Sequence, residues 1–156
     1  MKNLLKVVFG SLLSLLGFSS CDIVKGGYCM YGQPHADFTL KGTVTDVEGK
    51  PVEGIRTVVD AYQKWTDDAG IEYSNLNYTD TLYTNVNGKI ESRATLFSRP
   101  SAVMITISDM DGEENGGEFE EQVINDPEIK TVKKGDGEWY TGAYEASFKV
   151  TLKKKN

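Results

Sequence analysis

A few side chains in this sequence have types and spacings suited to chemistry. Cys29 is one of two cysteines and sits between Tyr28 and Tyr31 in a glycine-flanked segment. A thiol in that setting is open to covalent modification or to pairing with a partner. Asp109, Asp111, Glu113 and Asn115 place oxygens at alternate positions with Glu120 in the twelfth place, the spacing by which a Ca²⁺ loop supplies its ligands. Two departures weaken that pattern: Glu114 stands where the loop needs glycine, and no flanking helices are expected. The competing expectation is a solvated charged loop, because eleven acids lie between Asp109 and Glu138 against Lys130, Lys133 and Lys134. The single histidine, His35, has no partner placed by spacing, so it reads as a loop residue rather than a general base. Trp65 and Trp139 read as core or strand-edge aromatics. Tyr62, Trp65 and Tyr73 mark a ligand-binding module only if they converge on one open face.

The chain around these residues has 156 positions, 39% hydrophobic and 26% charged, which suits one domain with a folded core. Its net charge of -6 argues against nucleic acid, whose phosphates need a basic footprint. One His and two Cys leave little for a His triad or a thiolate metal site. The composition therefore predicts a chain that is not an enzyme, with no cofactor beyond the candidate Ca²⁺.

Residues 1-20 carry Lys2 and Lys6 as their only charges, followed by an apolar run from Leu4 to Phe18. That is the layout of a signal peptide, a charged start and a short apolar stretch. The run closes on Phe18-Ser19-Ser20-Cys21, which resembles a bacterial lipobox, so Cys21 is the expected site of lipidation (palmitate and other acyl chains). Several acyl chains, at about 0.8 kcal/mol per buried methylene, hold a protein to a membrane. The expected location is the cell envelope, at the outer membrane or periplasmic face rather than the cell surface, because no acidic run follows Cys21.

Beyond a glycine-rich tether at 21-37, the pattern turns to period two. Phe38 to Thr45 is one strand, Asp46 to Pro51 a turn, and Ile55 to Tyr62 a second strand. Lys64 to Asn75 is polar and reads as a loop. Tyr78 to Asn85 and Ile90 to Leu96 flank Asn87-Gly88, the strongest hairpin signal in the chain. Val103 to Ser108 and Ala146 to Lys153 complete the set. The prediction is an all-β, transthyretin-like (prealbumin-like) antiparallel sandwich of about seven strands over 38-153, preceded by the lipoprotein signal peptide.

Lys41-Gly42-Thr43-Val44-Thr45-Asp46 through Gly49-Lys50-Pro51-Val52-Glu53-Gly54-Ile55 resembles the opening of the carboxypeptidase regulatory-like domain. Thr84-Asn85-Val86-Asn87-Gly88-Lys89 is similar to that family's second hallmark. Cys29-Met30-Tyr31-Gly32-Gln33-Pro34, behind the lipobox and ahead of Lys41 to Asp46, resembles a Bacteroidota lipoprotein family associated with radical SAM enzymes. The resemblance implies a non-catalytic envelope module whose partner is a radical SAM enzyme or another envelope protein. Alternatively, it implies a protein substrate modified near Cys29 by a radical SAM enzyme; the spacing of the acids at 109–115 leaves a Ca²⁺-stabilised ligand-binding module as a further alternative. Asp80-Thr81-Leu82 is similar to the O-glycosylation acceptor of exported proteins of that lineage, which makes Thr81 a candidate modification site.

Overall fold

Apolar residues at every second position build β1 (His35–Asp46), in which Ala36, Phe38, Leu40 and Val44 are buried. The computed structural model describes residues 33–155, apart from the Asn115 side chain; the expected signal peptide, Cys21 and Cys29 lie outside them. Seven further strands follow: β2 (Arg56–Thr66), β3 (Glu72–Tyr83), β4 (Lys89–Leu96), β5 (Ala102–Ser108), β6 (Gln122–Asn125), β7 (Ile129–Lys134) and β8 (Tyr140–Leu152). They form two four-stranded sheets, ordered β4-β1-β8-β7 and β3-β2-β5-β6. The named ladders are antiparallel, except that β1 and β8 run parallel in the centre of the first sheet. The expected all-β sandwich is observed, and the described residues include no α-helix.

The core lies between the sheets. Phe38, Leu40 and Val44 of β1 and Ala146, Phe148, Val150 and Leu152 of β8 face Val59 and Ala61 of β2 and Val103, Ile105 and Ile107 of β5. Burying each large apolar side chain stabilises the fold by about 1.5–3 kcal/mol. Gly42 interrupts the apolar face of β1 because a Cβ there would run into the Phe148 ring and Ile90.

The two motifs at 41–55 and 84–89 meet at one corner. Asp46 Oδ1 accepts hydrogen bonds from the Glu48 N–H (2.9 Å) and the Lys50 N–H (2.8 Å), which closes the first turn. Asn85 Oδ1 does the same for Asn87 and Lys89. The Asn87-Gly88 turn forms as expected, with Gly88 at φ +64. It does not make a hairpin, because β3 and β4 belong to different sheets. The turn is instead tied to distant backbone: Val44 N–H donates to Gly88 O at 2.8 Å and Gly54 N–H to Thr84 O at 3.0 Å. The buried Thr84 hydroxyl donates to Val52 O at 2.7 Å and accepts from Ile55 N–H at 3.0 Å. These bonds carry the chain from one sheet to the other.

Two segments expected to be loops contain strands. The polar stretch 64–75 is the end of a β2–β3 hairpin whose turn occupies only 67–71. Its strand pattern is hidden because the hairpin is exposed on both faces there, so nothing selects apolar alternation. A bulge adds to this: Ala61 pairs with Tyr78 and Tyr62 with Leu76, which leaves Asn77 as an extra residue in β3. The acidic stretch 109–138 holds β6 and β7, and Phe119 within it is only 2% exposed. Residues 118–120 pair with the chain end through Glu120 N–H to Lys153 O and Lys155 N–H to Glu118 O, both 2.9 Å.

Candidate functional site

The connection from β4 to β5 crosses between the sheets, and a cleft of about 500 Å³ opens beside it. Ser98, Arg99, Pro100 and Ser101 of that connection, Gln63 of β2, and Thr141 and Tyr144 of β8 line it. Pro100 is buried and anchors the connection. The Arg99 guanidinium lies over the Tyr144 ring, 5.8 Å from its centroid, and donates one hydrogen bond to Ile129 O at 3.3 Å. The remaining polar groups hold one another: Ser98 Oγ donates to Gln63 Oε1 at 3.1 Å, and Tyr144 Oη to Thr141 O at 2.7 Å. Thr141 Oγ1 donates to His35 O at 3.0 Å. A guanidinium carries five donors, so Arg99 keeps donors beyond the one Ile129 takes. None of the ion pairs among the described residues includes Arg99. Arg99 was legible in the sequence only as part of a strand break. An arginine in a short connection between two sheets is the signal, since loops on a rigid scaffold carry function.

His35 and Tyr140 lie at the near end of β1 and β8. Their rings are 5.4 Å apart, and Tyr140 Oη donates to Asp37 Oδ2 at 2.9 Å. Partial desolvation and then the Asp37 carboxylate hold the Tyr140 phenol above its usual pKa. His35 is the first residue of a strand, not a loop residue.

The aromatic residues of β2 and β3 do come together in part. Trp65 and Tyr73 are paired directly across the hairpin, their rings stacked with centroids 5.6 Å apart and 13° between planes. Tyr73 Oη donates to Asp67 Oδ2 at 3.0 Å. The Ile71 N–H, with the Tyr73 phenol and the Ala69 N–H, holds Asp67 below the usual carboxylate range. Tyr62 faces the opposite side of the strand and lines a separate hollow of about 220 Å³ with Met104 and Asn125.

The other candidates disperse. Thr81 is exposed on β3, and its N–H donates to Asp80 Oδ1 at 2.8 Å. Asp80 Oδ2 instead binds Tyr78 Oη and Ser92 Oγ, both at 2.9 Å. That trio joins the edges of the two sheets and was not legible in the sequence, because Ser92 belongs to the opposite sheet. Both Asp109 oxygens accept backbone hydrogen bonds, Oδ1 from Asp111 N–H at 3.2 Å and Oδ2 from Phe119 N–H at 2.9 Å. Glu113 is exposed. Asp109 thus ties the loop to the backbone of Phe119, which is buried in the core.

No family model and no curated protein matches the chain. Among solved structures, catechol 1,2-dioxygenase from Acinetobacter radioresistens superposes with a TM-score of 0.50 at 18% identity, covering 77% of this chain and 52% of that one. 3-Chlorocatechol 1,2-dioxygenase from Rhodococcus opacus gives a TM-score of 0.49 at 16% identity, covering 93% of this chain and 78% of that one. The likeness is one of fold. The chain spans about half the length of the Acinetobacter enzyme.

These neighbours correct several expectations. The resemblance to a radical SAM-associated Bacteroidota lipoprotein family with a carboxypeptidase regulatory-like domain is overturned, since no family model supports it and the structural neighbours are dioxygenases. The expectation of a module without catalytic activity is overturned with it, because those neighbours are enzymes built on this fold. The expectation of no cofactor, or Ca²⁺ alone, also falls, since such dioxygenases use a non-haem iron. The described residues do not fit that metal. Among the described residues no group of three or more His, Cys, Asp or Glu side chains could hold a metal ion, and iron needs such a gathered ligand set. The Tyr140 phenol beside the sole histidine is engaged with Asp37.

Proposed function

We propose that the cleft around Arg99 and Tyr144 binds a small aromatic molecule bearing a carboxylate or phenolic group. The observation that carries this reading is the state of Arg99. In a chain with 23 acidic residues against 17 basic ones, this guanidinium takes part in none of the described ion pairs and lies against an aromatic face at the rim of the cleft. Guanidinium groups recognise carboxylates through paired, charge-assisted hydrogen bonds. Tyr144 offers a ring to stack on, and the amide N–H of Gln63, whose oxygen accepts from Ser98, suits a ring hydroxyl. The fold shared with an enzyme named for catechol supports an aromatic ligand.

Calorimetric titration of the full chain with benzoate and with catechol tests this. Both are expected to bind. A hydrogen bond to a charged group contributes about 1.5–3 kcal/mol, so Arg99→Ala should weaken benzoate roughly 10–150-fold. No heat from either ligand, or unchanged benzoate affinity in Arg99→Ala, refutes the assignment. Membrane attachment through Cys21 is a separate proposal, supported by the charged start, apolar run and small residues of 1–21.

A further inference from the structure

We infer that the stacked Trp65–Tyr73 pair, which lines its own hollow of about 340 Å³, is a second ring subsite next to the Arg99 cleft, so that the ligand is an acid carrying two linked rings. This rests on the reading of the Arg99 cleft and extends it along β2. Val59 and Ala61 of β2 are buried against the core, and alternation puts Gln63 and Trp65 on that same face. Gln63 lines the cleft; Trp65 follows two residues later, roughly 7 Å further along the strand. The bulge at Asn77 is what aligns β3 with this face. It reverses the alternation between Tyr78 and Tyr73, so that Tyr78 opposes Ala61 in the core while Tyr73 opposes Trp65. Asn75, paired with Gln63, fills the position between.

The pair also has the properties of a platform. Trp65 is 50% and Tyr73 43% exposed, so stacking on each other leaves ring surface open to a third ring. Rings are strongest in such contacts when their planes are fixed, because little side-chain entropy remains to be lost on binding. Here the Tyr73 ring is held at its phenol: the Asp67 carboxylate accepts from the phenol, and the turn N–H groups of Ala69 and Ile71 hold that carboxylate. One end of the face therefore recognises an anion and the other a flat apolar ring, with the Gln63 and Asn75 amides between them.

The test compares benzoate with 4-(benzyloxy)benzoate on the full chain, on Trp65→Ala and on Trp65→Phe, with melting temperatures to confirm folding. The two-ring acid is expected to bind at least tenfold tighter than benzoate to the parent chain. Trp65→Ala should remove that advantage and leave benzoate unchanged, and Trp65→Phe should restore part of it. Equal affinities in the parent chain, or an advantage that survives Trp65→Ala, overturns the subsite. Binding of the two-ring acid alone, with Trp65 dependence, overturns the benzoate reading of the cleft and upholds the platform. No binding of either acid overturns both.

Discussion

Replacing Thr84 with valine keeps the size of a buried side chain and deletes one hydroxyl, which isolates the corner where the two sequence motifs meet. Thr84 is 4% exposed, and its hydroxyl donates to Val52 O at 2.7 Å while accepting from Ile55 N–H at 3.0 Å. Ile55 is 1% and Val52 3% exposed, so water cannot replace the hydroxyl without opening the core. Leaving a buried donor or acceptor unpaired costs about 1–3 kcal/mol each. Two such groups give a loss of about 2–6 kcal/mol, set against total stabilities of about 5–15 kcal/mol. At roughly 4 °C per kcal/mol for a domain of this size, the melting temperature should fall by about 8–24 °C. Urea unfolding followed by tryptophan fluorescence measures the difference, and an unchanged slope with denaturant confirms that only stability has moved. Thr81→Val, exposed on β3, is the matched control and should lie within about 0.5 kcal/mol of the parent. A Thr84→Val loss below about 1 kcal/mol, or one equal to that of Thr81→Val, would refute the account of the corner as a hydrogen-bonded hub.

Two further outcomes are expected. Asp67 has a folded pKa lowered by the Ile71 N–H, the Tyr73 phenol and the Ala69 N–H, so its contribution to hairpin order is complete above the unfolded value of about 4 and lost as pH falls through the lower folded value. Near-ultraviolet circular dichroism from the Trp65–Tyr73 stack should therefore persist at pH 5 and fade in more acid solution, whereas Asp67→Ala should weaken it at pH 7; a pH-independent signal in the parent chain would contradict this. Cys21→Ser should move the full chain from the detergent phase to the aqueous phase on phase partitioning, and partitioning equal to the parent chain would end the proposal of lipid attachment at Cys21.

Strand content and the position of the core were legible in the sequence wherever one strand face is buried. Phe38, Leu40 and Val44, or Phe148, Val150 and Leu152, alternate because burial on one side selects apolar residues at every second position. Turn chemistry was equally local: Asp46 and Asn85 fold their own neighbours' N–H groups onto a side chain two to four residues away. Tertiary structure decided what such local signals do not encode. Asn87-Gly88 specifies a bend, but which sheet receives the next strand depends on Thr84 and Gly88 bonding to Val52, Ile55 and Val44. The strand character of 64–75 was invisible because a hairpin exposed on both faces lacks the burial contrast that writes period two into a sequence. Acids that bind a metal and acids that cap backbone N–H groups have the same composition, so the capping of the Asp111 and Phe119 N–H groups by Asp109 is visible only in the fold. The site itself was decided last, since Gln63, Arg99 and Tyr144 are far apart in the chain and converge only when a crossing between sheets brings β2, the β4–β5 connection and β8 around one cleft.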